Sequence, residues 1–112
     1  MNIYLNGRIR HLNPLEKEIF DSGLLNGYGV FETMRSYKGN IVYFREHLER
    51  FNKSAGFLGL NIAYSKQRLS SAILRMVKLS KYSDAYVKLL AFSAGSRTNT
   101  AVVLKKYRPF SE

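Results

Sequence analysis

The stretch that decides the fold runs from Asp21 to Ala55 and reads DSGLLNGYGVFETMRSYKGNIVYFREHLERFNKSA. A segment broken by three glycines comes first. An alternating strand pattern over Val30–Tyr37 follows, and a basic helix start then covers Arg45–Arg50. The apolar period changes from two residues to about 3.6 within this stretch, which predicts a strand followed by a helix.

Two helices are predicted in the middle of the chain. The first covers Arg45–Leu58 and ends at Gly59, because glycine readily takes the backbone conformation that closes a helix. Ser65 is placed to cap the start of the second helix. Its predicted buried stripe consists of Leu69, Ala72, Ile73, Met76 and Val77.

Strand patterns lie on both sides of the helices. Residues Met1–Arg10 form a hairpin with its turn at Asn6-Gly7, since this dipeptide favours tight turns. The other predicted elements are a hairpin of Val30–Tyr37 and Ile41–Phe44 around Lys38-Gly39-Asn40, two strands at Ala85–Phe92 and Thr100–Tyr107, and a loop at Ser93–Asn99. The sequence therefore predicts a single α+β domain over residues 1–112, with a mostly antiparallel sheet and two helices packed against it.

Composition narrows the classes of function. The chain has no cysteine, which excludes disulfides and thiolate metal sites, and its two histidines make a zinc site a poor interpretation. No apolar run approaches the roughly 18 residues of a membrane helix. No secretory signal is recognisable at Met1–Arg10, so we expect a cytoplasmic protein without a membrane partner.

The chain is strongly basic. Eighteen lysines and arginines face eight acidic residues, a net charge of +10 that attracts anions. The basic residues are dispersed, which favours a solvated surface over a nucleic-acid footprint. A nucleic-acid or anion-binding module stays as an alternative, supported by the aromatic residues Tyr4, Tyr37 and Tyr43 on predicted strands.

Arg50 is the first candidate for a binding role. The guanidinium group matches phosphate and carboxylate, and the helical pattern places Arg50 on the polar side together with His47. The alternative is a solvated arginine paired with Glu46 or Glu49. His47 alone is interpreted as a packing or hydrogen-bonding residue.

Lys88 is the second candidate, because it interrupts the apolar strand Tyr86–Phe92 and a charge there must reach solvent, pair, or face a cleft. Arg97, in the following loop, is considered together with Lys88. The alternative is a lysine at the solvent edge and a loop arginine without a binding role. Phe31, in the predicted strand Val30–Tyr37, is interpreted from the sequence alone as a core residue, and Tyr28 is a phenol nearby in the sequence.

The same residues carry a resemblance to a known family. The family pattern D-R-G-x-x-Y-G-D-G-V-F-E is matched at Asp21, Gly23, Gly27, Gly29, Val30, Phe31 and Glu32. The family pattern E-H-x-x-R-L is matched by Glu46-His47-Leu48-Glu49-Arg50-Phe51. The chain thus resembles the N-terminal small domain of the class IV pyridoxal 5′-phosphate (PLP) enzymes. That family includes branched-chain and D-amino acid aminotransferases and aminodeoxychorismate lyases. The departures are Ser22, Asn26, Tyr28 and Phe51.

The resemblance implies roles for individual residues. Arg50 would hold the PLP phosphate, and Phe31 would line the substrate pocket with Tyr28 nearby. Lys88 and Arg97 would bind a substrate carboxylate. No catalytic residue is assigned, because no lysine here matches the family's Schiff-base position.

The family's remaining chemistry implies expectations about activity and partners. We expect no transaminase or lyase turnover by this chain alone and no stable PLP binding. The expected partners are a second copy in a homodimer or a complementing C-terminal catalytic domain, with a small amino-acid-type substrate. The Phe-Glu-Thr-Met-Arg stretch favours an aminodeoxychorismate lyase-like enzyme, while the Tyr86–Phe92 strand favours the branched-chain enzymes. A purely structural domain is the further alternative.

Overall fold

The computed structural model describes residues 2–18, 28–94 and 97–107. The described elements are β1 (Asn2–Leu5), β2 (Arg8–His11), β3 (Tyr28–Tyr37), β4 (Asn40–Ile41), α1 (Phe44–Phe57), α2 (Lys66–Ser80), β5 (Asp84–Ala94) and β6 (Arg97–Lys106). A short helical segment at residues 14–18 follows β2.

The strands form one antiparallel sheet of six, in the order β2-β1-β6-β5-β3-β4. Strand β5 is central: it pairs with β3 along one edge and with β6 along the other. The N-terminal hairpin β1–β2 attaches to β6. The α+β prediction, with a mostly antiparallel sheet and two helices, is confirmed.

Both helices cover the same face of the sheet. Helix α1 packs on β3, and α2 packs on β1, β5 and β6. Their predicted apolar faces are the buried ones, as the pattern of roughly 3.6 residues requires. The buried helix residues are Leu48, Phe51, Ala55, Leu69, Ile73, Met76 and Val77.

The predicted start and stop signals have the expected geometry. The Ser65 hydroxyl accepts a hydrogen bond from the Arg68 amide at 3.1 Å, which satisfies one free amide at the start of α2. Gly59, with φ of 73°, follows the end of α1. Asn6 and Gly7 both have positive φ, as the tight β1–β2 turn demands.

Two predicted boundaries are wrong around the second hairpin. Strand β4 contains only Asn40–Ile41, and Phe44 belongs to α1 instead of the strand. Tyr43 has a left-handed backbone (φ 53°) and turns the chain from the strand into the helix. The turn residues with positive φ are Lys38 and Gly39, so Asn40 lies in the strand.

The predicted loop Ser93–Asn99 is also wrong. Strands β5 and β6 continue towards each other until Ala94 pairs with Arg97. The residues that extend the pairing are mostly polar, for example Ser93 opposite Thr98, and their composition is typical of a loop. They still pair because the hydrogen bonds between strands come from the backbone and do not require apolar side chains. Arg97 therefore begins a strand and is not a loop residue.

Most of the glycine-broken segment and Pro109 lie outside the described residues. In the part of the chain that is described, no helix is both long and apolar enough to cross a membrane.

Gly29 provides a test of the β3–β5 contact. A Cβ at this position would lie against the Ala91 carbonyl oxygen and 2.9 Å from the Cα of Phe92. We expect Gly29→Ala to lower the free energy of unfolding by about 1–3 kcal/mol, because overpacked backbone must shift. Chemical denaturation followed by circular dichroism measures the change.

Gly56→Ala is the matched control. Gly56 lies within α1, and a Cβ there meets nothing within 4 Å. Alanine is the better helix former, so we expect this variant to gain about 0.5–1 kcal/mol. Equal stability of the two variants would contradict the close approach at Gly29.

Candidate functional site

The candidate site begins with a carboxylate on the buried side of a strand. In β3, Glu32 alternates with Met34 and Ser36 on the face below the helices. The Glu32 side chain is only 10% exposed. A carboxylate so placed needs partners, since burying an unpaired charge is costly.

Helix α1 supplies both partners. Arg50 donates two hydrogen bonds to Glu32, from Nε to Oε2 at 2.9 Å and from Nη2 to Oε1 at 2.8 Å. His47 Nδ1 lies 2.7 Å from Glu32 Oε1. A spacing of three residues puts His47 and Arg50 on one helix face, so a single carboxylate reaches both.

The chemistry of these groups assigns the proton on His47. An ionised carboxylate only accepts hydrogen bonds, so His47 Nδ1 carries a proton and donates it to Glu32. Arg50 Nη2 lies 3.3 Å from the same nitrogen, but a protonated nitrogen cannot accept its hydrogen. The other ring nitrogen, Nε2, makes no hydrogen bond to Glu32.

The cluster stabilises the charged form of both ionic partners. The hydrogen bonds from Arg50 hold the pKa of the Glu32 carboxyl below its usual value, and His47 lowers it further, although burial opposes both. The pairing with Glu32 raises the pKa of Arg50. Glu32 is thus ionised at neutral pH, and Arg50 keeps its charge.

Arg50 remains open to solvent despite this pairing. Its side chain is 65% exposed, and among the described residues no hydrogen bond involves Nη1. Its carboxylate partner is Glu32 from the sheet and neither Glu46 nor Glu49, the partners considered from the sequence. The arrangement holds the guanidinium on one edge and presents its other edge outward.

Phe31 and Lys88 lie together on the opposite, open face of the sheet. The Phe31 side chain is 61% exposed, so the interpretation as a core residue is wrong. Lys88 Nζ lies 4.7 Å from the centre of the Phe31 ring, within the range of a cation–π contact. Lys88 shares this face with Tyr86, as its strand pattern predicts.

Arg97 is not brought into this group. Lys88 pairs with Val103, and Arg97 pairs with Ala94 at the far end of β5. Along β5, Ala94 is six positions beyond Lys88, so Arg97 lies roughly 20 Å from Lys88 at about 3.4 Å per residue. Tyr28 begins β3 opposite Ser93.

Glu32 is the functional residue that sequence reasoning did not single out. The sequence pattern could have identified it, because Glu32 is a charged residue on the same face of the predicted strand as Met34 and Ser36. The spatial neighbour of Arg50 on another element could not be identified from helix spacing alone.

The expected exposure of Tyr4, Tyr37 and Tyr43 holds for only two of the three. Tyr4 is 5% exposed, so the proposal that it offers a ring for stacking with bases is wrong; Tyr37 and Tyr43 are exposed. Burial raises the pKa of the Tyr4 phenol. No cluster of metal-binding side chains occurs within the described ranges.

Comparison with known proteins now identifies the class to which this fold and site belong. The sequence profile described as "Amino-transferase class IV" matches residues 29–111. The chain belongs to the class IV aminotransferase family, whose enzymes depend on PLP.

Individual relatives have several activities in their names. A putative branched-chain-amino-acid aminotransferase of Methanocaldococcus jannaschii is 36% identical over 90 residues, covering 80% of this chain and 31% of the relative. An aminodeoxychorismate lyase of Bacillus subtilis is 33% identical over 94 residues, covering 83% and 32%. A D-alanine aminotransferase of Bacillus licheniformis is 31% identical over 84 residues, covering 75% and 30%.

Solved structures share the fold. The branched-chain aminotransferase of Thermoproteus uzoniensis with norvaline has a TM-score of 0.75 and 25% identity, covering 96% of this chain and 41% of that one. The branched-chain enzyme of T.th. with pyridoxamine 5′-phosphate has a TM-score of 0.79 and 24% identity, covering 97% and 40%. The chain therefore spans about a third of the length of these curated relatives and about two fifths of these solved chains.

The pairing of Glu32 makes the stability of the domain depend on pH. Because its pKa is depressed in the folded state, its contribution is present above the ordinary value of 4.5 and is lost as the pH falls through the folded pKa. We expect Glu32→Gln to lower the free energy of unfolding by about 1–3 kcal/mol at pH 7 and to reduce the loss of stability below pH 4.5. Urea titrations between neutral and acid pH measure both effects.

Glu49→Gln is the control for this variant. Glu49 is 56% exposed and lies 3.9 Å from Arg45, an exposed pair on the same helix. Such pairs contribute about 0–1 kcal/mol, so this variant should keep the wild-type acid profile. An unchanged acid profile in Glu32→Gln would contradict the structural role of the pair.

Proposed function

We propose that this chain forms the small domain of a PLP-dependent class IV enzyme and contributes Arg50 to the binding of the cofactor phosphate. The observation that carries the proposal is the guanidinium of Arg50, fixed by Glu32 on one edge and open on the other. We further propose that Phe31, Tyr28, Lys88 and Arg97 contribute contacts to the substrate.

The residues present fit a phosphate group. Nη1 of Arg50 carries two N–H groups that are not engaged by described residues, and guanidinium groups bind phosphate oxygens by charge-assisted hydrogen bonds. Glu32 limits the rotation of the side chain, so less conformational entropy is lost when an anion binds. The net charge of +10 also favours anions.

The chemistry in such an enzyme is divided between cofactor and protein. When bound, PLP supplies an electron sink for negative charge that develops on an amino-acid substrate. The residues of this chain bind and orient. Arg50 holds an anionic group at the edge of α1, and Glu32 and His47 keep its guanidinium in position.

Phe31 and Lys88 support a site for an amino-acid-type substrate. An exposed aromatic ring offers packing to an apolar group, and the ammonium group beside it attracts a carboxylate. Both requirements occur together in amino acids and keto acids. We propose Lys88 as the carboxylate partner within one chain. Arg97 lies roughly 20 Å away along the sheet, so we propose it as a contact to a substrate bound in a second copy.

Exposed aromatic residues on the open face of the sheet are evidence that a partner domain packs there. Phe31, Tyr37 and Tyr86 are 61%, 49% and 41% exposed on this face. Exposed aromatic surface of this kind marks interaction sites. We propose that a catalytic domain or a second copy of the chain covers it in the active enzyme.

For the reaction itself we propose an aminodeoxychorismate lyase-like activity, which releases pyruvate and gives 4-aminobenzoate. The Phe-Glu-Thr-Met-Arg stretch supports it, and a lyase is among the relatives. Branched-chain and D-alanine aminotransferases match to a similar degree and are the alternatives.

Arg50→Gln tests the phosphate site. The probe is pyridoxine 5′-phosphate, which lacks the aldehyde and cannot form imines with surface lysines. Binding to this chain alone is expected to be weak, but titration of the probe into the 15N-labelled chain should still shift amides near Arg50. The variant should bind at least about tenfold more weakly because it loses charge-assisted hydrogen bonds. Arg50→Lys should bind with intermediate affinity, since it keeps the charge and loses the fork.

Arg45→Gln is the matched control on the same helix. Arg45 is 85% exposed and approaches Glu49 only to 3.9 Å, so its loss changes the net charge equally without touching the cluster. Pyridoxine without phosphate serves as the ligand control. Equal weakening in the Arg45 and Arg50 variants would contradict a specific phosphate role.

The reaction class is tested on the enzyme that carries this domain. We expect pyruvate release from aminodeoxychorismate and a KM raised about tenfold by Lys88→Gln, because the substrate carboxylate loses its cation. The matched variant Lys106→Gln, at the exposed end of β6, should retain the wild-type KM. Amino transfer from branched-chain amino acids or D-alanine, without pyruvate release from aminodeoxychorismate, would reject the lyase assignment.

A further inference from the structure

A second basic site lies on the other side of the domain. A cleft of about 640 Å³ opens between α2 and the hairpin β1–β2. Its lining includes Arg8 from the hairpin and Arg68 and Arg75 from the helix. Ligand clefts in proteins typically have volumes of about 300–1,000 Å³, so a small organic molecule fits.

Within the described part of the chain, the three arginines have no compensating charges. None of them forms an ion pair with a residue in the described ranges, and no carboxylate belongs to the described lining of the cleft. Arg68 and Arg75 are seven residues apart, which places them two turns apart on one face of α2. Three like charges around one cleft repel each other, and a bound anion removes this cost.

The start of α2 strengthens the argument. Its first turn contains no acidic residue, whereas Lys66 and Arg68 both lie near this end. Cations at a helix N-terminus oppose the helix dipole, which favours negative charge there. The basic residues therefore lower the stability of the helix when no ligand is bound. An anion at the same place would be favoured both by the helix dipole and by the basic side chains.

The cleft also has the features of a specific site. Arg68 lies over the Tyr64 ring, with its guanidinium carbon 5.3 Å from the ring centre, so its position is restrained. Gln67 and Ser71 add uncharged polar groups, and Ile9 and Ala72 supply apolar surface. This mixture suits an organic anion better than a bare ion.

We propose that this cleft binds a small organic polyanion, a molecule with two or more phosphate or carboxylate groups. The site is separate from Arg50. Helix α1 packs on β3 and the cleft borders β1, and three strand spacings of about 4.8 Å, roughly 14 Å in total, lie between these strands. The inference does not depend on the proposed cofactor role.

The test uses inorganic pyrophosphate and citrate as probes at constant ionic strength, followed by amide shifts of the 15N-labelled chain. We expect saturable shifts at Gly7–Ile9 and Gln67–Arg75, with affinity lowered at least about tenfold in Arg68→Gln/Arg75→Gln. Arg8→Gln changes the other wall of the cleft and should weaken binding without altering α2.

The double variant Lys78→Gln/Lys106→Gln removes the same charge from exposed positions that do not line the cleft and should bind as the wild type does. Arg50→Gln should also leave the affinity for the probes at the cleft unchanged, which separates this test from that of the proposed function. Equal weakening by both double variants, shifts centred on Arg50, or binding only of a DNA oligonucleotide would overturn the proposal. A titration that does not saturate at about 10 mM probe would also overturn the proposal, because the binding free energy would then be smaller than about 3 kcal/mol in magnitude.

Discussion

The pairing of β5 along both of its edges is the constraint on which the domain depends. Its backbone joins β3 to β6, and Val87 and Leu89 bury their side chains fully beneath the helices. A strand that is paired along both edges has its backbone hydrogen bonds satisfied within the sheet. The position of β3, and hence of every residue on its two faces, follows from this ladder.

The two faces of β3 have different uses because side chains alternate along a strand. Glu32 points towards α1 and Phe31 points away from it, although they are neighbours in sequence. The buried carboxylate must find donors, and the helix provides them in His47 and Arg50. An arginine that would otherwise sample many rotamers is thereby held at the edge of the sheet while its outer nitrogen stays available.

Local patterns in the sequence were sufficient for the elements and insufficient for some of their ends. Helix periodicity, the Ser65 cap and the Asn6-Gly7 turn each depend on nearby residues, so they could be predicted. The extent of the β5–β6 ladder, the burial of Tyr4 and the partner of Arg50 depend on distant strands. Exposure of Arg50 followed from the helix pattern, but its link to Glu32 required the three-dimensional arrangement.

The attachment of β1 to β6 has a consequence for how the chain reaches this fold. The Thr100 amide donates to the Asn6 side chain at 2.9 Å across 94 residues of sequence. Contacts between such distant residues form slowly, because a long loop must close before they stabilise anything. The N-terminal hairpin can form locally at once, yet it has no sheet to join until β6 is in place. The wall of the basic cleft that contains Arg8 therefore depends on β6, whereas the cluster that holds Arg50 contains no residue of β1 or β6.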